Sequence, residues 1–329
     1  MALYKKINSQ ATSEINTGFG VNTSDYGGRF VNKEGNANIE KRGVNYFERI
    51  SWYHTMLSIP RWKFFSVIFI FFIVVNTFFA FIYYLVGVNN LSGLTSGSKI
   101  EKFAEAFFFS CQTFTTVGYG RINPVGFTAS SIAALEALLG LLSFALATGL
   151  LYGRFSKPTA YLRFSENAIL APYKDITAIM FRVAPFKNTT LTDAEAKVTL
   201  GMAIEENGKT VNKFFQLPLE FSTVNTLTLS WTIVHPITET SPFYKLAPED
   251  YANLQGEVLV FTKAFDDMFS NTVVARTSYT FKEIIIGAKF NPMYKRSLRG
   301  NRTVLYLDKL NSYNKADVSY AFQDEKVND

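Results

Sequence analysis

The stretch Thr115-Thr116-Val117-Gly118-Tyr119-Gly120 carries the one pattern in this chain with an evident chemical use. Its side chains are poor reagents: hydroxyls and a phenol, with no base and no metal ligand. Its backbone is a better tool. Gly118 and Gly120 can take left-handed angles without a Cβ penalty. Alternating backbone angles turn successive carbonyl oxygens to one side, and the Thr116 hydroxyl can add an innermost oxygen layer. Val117 and Tyr119 then point away and pack behind as a cuff. Several such ladders around an axis replace the hydration shell of a dehydrated cation. Other chemistries find little support. Cys111 is the only cysteine and the only histidines are His54 and His235, so neither a disulfide nor a Cys or His metal site is expected. No nucleophile–base pair is visible, which argues against an enzyme. The net charge of +6 suits nucleic acid or an anionic membrane surface. No zinc spacing or stacking motif supports nucleic acid, and no Gly-rich fingerprint supports a dinucleotide.

The elements that must position this ladder are read from the flanking sequence. Phe64 to Val86 is apolar except for Ser66, Asn76 and Thr77; Ile132 to Tyr152 is apolar except for Glu136, Ser143 and Thr148. Each reaches the roughly 20 residues that cross a bilayer as a helix, predicting spans at about 62–87 and 130–154. More than sixty residues precede the first run, so it does not read as a signal peptide. Lys41, Arg42, Arg49, Arg61 and Lys63 precede the first span, and Arg154, Lys157 and Arg163 follow the second. This bias places both termini in the cytoplasm and the connector outside, a multi-pass protein of the cell (inner) membrane. Within the connector, Phe103, Ala106, Phe107 and Ser110 recur at helical spacing. They predict a short re-entrant pore helix over about 100–114, leading straight into 116–120. Such a helix is tolerated at membrane depth when protein surrounds it.

On the second span Glu136, Gly140, Phe144, Thr148 and Tyr152 recur every four residues and read as one slowly drifting face toward the pore. Gly140 and Gly149 suit either a bend or close helix packing. Glu136 is the only carboxylate inside either span. An intramembrane acid is functional by default, and a place in the pore-helix hydrogen-bond network is the other reading. Before the first span, Tyr46, Phe47, Ile50, Tyr53 and Leu57 face away from Glu48, Ser51, Thr55 and Ser58, an amphipathic interfacial helix over 44–60 that Pro60 ends. Arg49, Arg61, Lys63, Arg154 and Lys157 form two basic clusters at one membrane depth. They suit anionic phospholipids or ordinary flanking charge.

From Pro158 onward short β-type runs take over, among them 177–183, 226–234, 258–262, 272–281 and 303–307, with a turn signal at Asn207-Gly208. An all-β sandwich over 158–329 is expected. The first 43 residues are rich in Asn, Ser, Gly and Thr and read as a flexible segment.

With these stretches in view, the sequence resembles the inward-rectifier potassium channels, specifically their bacterial (KirBac) branch, from about Tyr46 to about Tyr306. The string Thr116 to Gly120 would fit any potassium channel. Trp52-Tyr53-His54, Phe107-Phe108-Phe109-Ser110 and Gly149-Leu150 to Arg154-Phe155 support the likeness, and the segments His235-Pro236-Ile237-Thr238-Glu239-Thr240-Ser241-Pro242 and Ala275-Arg276-Thr277-Ser278-Tyr279 narrow it to this family. The resemblance implies a homotetramer with a fourfold pore in a 61–157 membrane domain, an immunoglobulin-like cytoplasmic sandwich, a slide helix at 44–60 and gating by phospholipid head groups. It implies potassium as the permeant ion and no other cofactor. It makes Tyr152 the constriction where inner helices cross. Phe144 falls where strong rectifiers carry an acid, which implies weak polyamine block. Met268, Phe269, Ser270 and Asn271 become an apical loop narrowing the cytoplasmic vestibule. Asp193 matches a vestibule acid, though a solvated surface carboxylate fits it too. Two departures bear on filter support, alongside Thr115 and Glu136. Gln112 stands where the family carries Glu, and Arg121 where it carries an acidic or aromatic residue.

Overall fold

A computed structural model describes residues 8, 11, 13, 29–45, 51–95, 97–206, 209–297 and 300–318. The chain divides into two compact units, one of residues 42–157 and one joining the segment before residue 42 to everything from 158 onward.

In the first unit, helix α1 (Trp52–Ser58) opens on Ser51, whose hydroxyl accepts from the His54 amide at 3.4 Å. It stops at Ile59-Pro60, because proline cannot continue the helical hydrogen bonding. Residues 46–50 of the expected amphipathic helix, Arg49 among them, lie outside the described residues. Helix α2 (Arg61–Val86) has 26 residues and is therefore about 39 Å long. Helix α3 (Lys99–Phe114) begins in a capping box of Ser98 and Glu101, which satisfies two amides that a helix start leaves bare. Helix α4 (Gly126–Phe155) has 30 residues. A short ribbon of β1 (Leu91–Ser92) and β2 (Asn123–Pro124) closes the connector.

Burial separates these helices from those of a soluble core. Only 17 % of the most apolar window of α2 and 11 % of that of α4 are buried. Phe65, Phe69, Ile70, Leu141 and Leu146 stand exposed, while the buried set includes Asn76 and Glu136. Apolar side chains outside and polar ones inside is the arrangement a bilayer demands. The inner cluster packs Phe79, Ala80 and Tyr83 of α2 against Ala106 and Phe109 of α3.

The second unit is a two-sheet sandwich. The first sheet orders β11 (Asn271–Thr280), β10 (Gly256–Asp266), β6 (Leu191–Glu206) and β7 (Lys209–Gln216), with β8 (Thr223–Thr226) also on β6. The second orders β12 (Ile284–Ile286), β4 (Ala168–Tyr173), β5 (Ile176–Pro185) and β3 (Leu162–Phe164), with β9 (Trp231–Pro236) also on β5. Pairing is antiparallel except between β12 and β4. One core cluster spans both sheets, with Leu170, Phe181 and Ile233 meeting Leu200, Val258 and Tyr279.

Two expectations change here. The run expected over 226–234 is two strands, β8 on the first sheet and β9 on the second, because the chain turns between Thr226 and Trp231 to change sheets. The segment expected to be flexible over the first 43 residues is anchored at residues 29–31. Phe30 and Val31 are buried against Phe214 and Leu259, and their amides donate to the Glu257 carboxylate. The Arg29 guanidinium binds Ser278 and pairs with Glu283. An otherwise polar composition hides these anchors. The turn expected at 207–208 lies outside the described residues.

Candidate ion pathway

Helix α3 ends on Thr115, whose hydroxyl donates back to the Cys111 carbonyl at 2.7 Å. The Thr116 amide returns to Thr113 and the Val117 amide to the Gln112 carbonyl at 2.9 Å, so the segment hangs from the last turn of the helix. Beyond it, φ is positive at every second residue: 60° at Thr116, 54° at Gly118 and 85° at Gly120. The two glycines adopt this region freely. Thr116 does so at a cost of roughly 1–2 kcal/mol. This alternation is what stacks carbonyls on one side of a strand. Val117 and Tyr119 are 53 % and 79 % exposed, so one chain supplies no packing for the expected cuff.

The far end of the segment is tied down. The Gly120 carbonyl accepts from the Asn123 amide side chain at 2.9 Å. Arg121 pairs with Glu105 at 3.0 Å, and Glu105 also accepts from the Thr95 amide and hydroxyl at 2.9 and 2.8 Å. The unexpected basic residue after the segment is therefore balanced locally, by an acid 16 residues earlier.

Behind α3 lies a buried polar cluster of Asn76, Tyr83, Ser110 and Glu136. Tyr83 donates to the Glu136 carboxyl at 2.7 Å, and the Ser110 hydroxyl bonds both Glu136 and Asn76. Gln112 makes no side-chain hydrogen bond among the described residues. In the sequence pattern Glu136 stands without visible partners. A signal existed: Asn76 and Tyr83 are seven residues apart on α2, two turns along one face.

The four-residue stripe on α4 does not keep one face. Glu136 and Gly140 turn inward and are buried, whereas Phe144 and Tyr152 are 73 % and 74 % exposed and Thr148 is also exposed. Each four-residue step overshoots a turn by about 40°, so the face has swung away by the C-terminal end of the helix. A Cβ on Gly140 would lie 1.9 Å from the Phe114 carbonyl oxygen, which assigns this glycine to close packing. Gly149 has nothing within 4 Å. Phe114, Thr115, Thr116, Phe72 and Phe144 line an apolar cavity of about 670 Å³ below the segment.

Of the basic residues, Arg154 is engaged. Its guanidinium donates to the Met56 carbonyl at 3.1 Å and to the Ile59 carbonyl, and it lies over the Phe64 ring. It caps the C-terminal end of α1, whose last carbonyls lack helical partners. Arg61, Lys63 and Lys157 are exposed.

In the sandwich, Met268 to Ser270 form the turn of the β10–β11 hairpin. The buried Asp266 carboxylate accepts from the Met268 amide at 2.9 Å and holds the turn. Met268 is 71 % exposed. Asp193 is an exposed residue at φ 47° in β6, where the register with β10 slips by one residue. Such a bulge re-aims a side chain, and it puts Asp193 at the hairpin end of the sheet.

Two bilayer-length helices, a short helix ending in an alternately left-handed segment, and a β-sandwich together define a two-span channel protein with an all-β domain. Known proteins agree. A model of the inward rectifier potassium channel C-terminal domain matches residues 162–326, and an ion channel model matches residues 70–157. The inward rectifier potassium channel Kirbac3.1 of Paramagnetospirillum magnetotacticum is 32 % identical over 84 % of this chain and 92 % of its own. G protein-activated inward rectifier potassium channel 4 of Bos taurus and of Mus musculus are each 26 % identical over 80 % of this chain and 68 % of their own. The chain belongs to the inward-rectifier potassium channel family. It is a membrane protein of an ion-transport family and not an enzyme.

Proposed function

We propose that four copies of this chain surround one pore and that Thr116, Val117, Gly118, Tyr119 and Gly120 form its potassium filter. The observation that carries this reading is the alternation of left-handed angles at Thr116, Gly118 and Gly120. Four such segments offer stacked carbonyl rings in place of water. Exposed Val117 and Tyr119 find the packing they lack against neighbouring copies. Below the filter, Phe144, Thr148 and Tyr152 line the path. Four tyrosines at the inner crossing close it by bulk and dewetting. Phe144 offers no charge to hold a polyamine, so rectification is weak. The sandwich is cytoplasmic, with Asp193, the turn at 268–270 and Asn271, which begins β11, lining its vestibule. Arg61, Lys63 and Lys157, together with Arg49, meet anionic phospholipid head groups of the inner membrane.

Rubidium uptake into liposomes holding the purified protein tests the filter. Barium-sensitive uptake that exceeds sodium uptake, and is lost in Gly118→Ala, is the expected result. Alanine resists the left-handed angle by about 1 kcal/mol or more, in each of four copies at once. Uptake that ignores barium or survives Gly118→Ala would refute the assignment.

A further inference from the structure

Asn76, Ser110 and Glu136 are all 0 % exposed and Tyr83 is 1 % exposed. They come from three helices: Asn76 and Tyr83 from α2, Ser110 from α3, Glu136 from α4. A carboxyl at membrane depth without partners is costly, and here each oxygen has one. The Tyr83 hydroxyl donates to one oxygen at 2.7 Å, and the Ser110 hydroxyl meets the other. Ser110 also reaches the Asn76 amide oxygen at 3.0 Å, so its single proton serves one of the two at a time. The Asn76 amide nitrogen donates to the Phe72 carbonyl at 2.7 Å. One turn along α4, Gly140 lets the helix touch the Phe114 carbonyl. Helix α4 is thus seated on α3 at two consecutive turns. The last turn of α3 in turn holds the Val117 amide through the Gln112 carbonyl at 2.9 Å.

We propose that Glu136 is the positioning residue of the conduction path: through Ser110 and Tyr83 it fixes the C-terminal turns of α3, and thereby the register of residues 116–120. The side chain of Gln112, at the position where the resemblance expects a carboxylate, makes no hydrogen bond among the described residues, and the inner helix supplies the anchor instead. The inference rests on the filter reading. It requires hydrogen bonds at position 136 and does not require charge. A glutamine there accepts from Tyr83 through its oxygen and donates to Ser110 through its nitrogen, which leaves the Ser110 proton for Asn76.

The test compares the full chain with Glu136→Gln, Glu136→Leu, Ser110→Ala and the Glu136→Leu/Ser110→Ala double variant in liposomes. Two quantities are read: the rubidium-to-sodium uptake ratio, and the amide hydrogen exchange of residues 107–119. Leucine at 136 and alanine at 110 should each lower the ratio about tenfold and speed exchange in that segment. The double variant should be no worse than the poorer single one. Glutamine at 136 should stay within about twofold of the unaltered chain in both readouts. Unchanged ratio and exchange in Glu136→Leu and Ser110→Ala would overturn the proposal. So would a glutamine variant as impaired as the leucine one, since charge would then be the active property. Should Glu136→Leu fail to assemble, Ser110→Ala and Glu136→Gln decide alone. Absence of rubidium-selective uptake in the unaltered chain would sink the filter reading itself, while exchange would still report whether Glu136 anchors α3.

Discussion

His235 has both ring nitrogens engaged inside the sandwich. Nδ1 lies 2.6 Å from the Pro218 carbonyl and Nε2 lies 2.8 Å from the Ser241 hydroxyl. A carbonyl only accepts, so Nδ1 carries the proton and Nε2 accepts from Ser241. Ser241 Oγ in turn accepts from the Phe243 amide, which explains why His235 and Ser241 occur together in the His-Pro-Ile-Thr-Glu-Thr-Ser-Pro segment. Burial pushes the imidazole down to about 4, below its unfolded value of about 6.5. The unfolded chain therefore binds the proton more readily. The stabilisation is complete above pH ~6.5 and is lost as pH falls toward 4, to the extent of about 3 kcal/mol. The thermal midpoint of the full chain should drop across that window. His235→Gln should melt lower at neutral pH yet show a flatter slope from pH 6.5 to 4. An unchanged slope would assign the acid sensitivity to another group. At this scale the sequence was most legible where a string specifies backbone, as in Thr116 to Gly120. It was least legible where the fold joins distant side chains. Arg121 stood out only as a departure from the family pattern, because its partner Glu105 lies 16 residues away, and Glu136 lacked its partners because Tyr83 and Ser110 sit on other helices.

Elements were legible in type and shifted in detail. Both apolar runs are helices and the short re-entrant run between them is α3, because composition and a 3.6-residue period determine such elements locally. Element faces were harder. A four-residue repeat over 16 positions turns through about 160°, so the stripe from Glu136 to Tyr152 could not serve one surface. Its upper part packs on α3 and its lower part is exposed. The same geometry divides the two glycines that the sequence could not separate. Gly140→Ala puts a methyl group into the Phe114 carbonyl and should cost about 1–3 kcal/mol through forced separation of α4 from α3, with loss of rubidium selectivity. Gly149→Ala meets open space, removes helix-interior flexibility, and should raise stability by a few tenths of a kcal/mol up to about 1 kcal/mol. Thermal midpoints and uptake ratios of the two variants check this. Equal effects would show that Gly140 is not a packing contact. In the sandwich the β-rich character was plain, but strand length alone could not show that the chain changes sheets between Thr226 and Trp231.

At the scale of the whole chain, composition pointed to a membrane through its basic balance and its two apolar runs, and the structure adds which charges are already occupied. Arg154 spends its guanidinium on the carbonyls of Met56 and Ile59 and on the Phe64 ring, so its first task is to brace the bend between α1 and α2. Arg61, Lys63 and Lys157 remain exposed at the ends of the two spans. Each exposed cation near an anionic leaflet is worth about 1 kcal/mol, so the proposed tetramer, with three such cations per copy, predicts an uptake sensitive to lipid charge. Replacing all three by Gln should raise the mole fraction of anionic phospholipid needed for half of its effect on rubidium uptake by about tenfold or more. The thermal midpoint should stay close to that of the unaltered chain, because among the described residues these side chains make no hydrogen bond or ion pair, and only Lys63 lies over a ring, that of Trp62. Arg154→Gln should do the reverse, costing about 1–3 kcal/mol of stability through lost carbonyl hydrogen bonds and so lowering the midpoint, while leaving the lipid titration near its original position. A triple variant with an unshifted lipid response would show these cations to be ordinary flanking charge that orients the spans, and would move the search for a lipid site elsewhere on the chain.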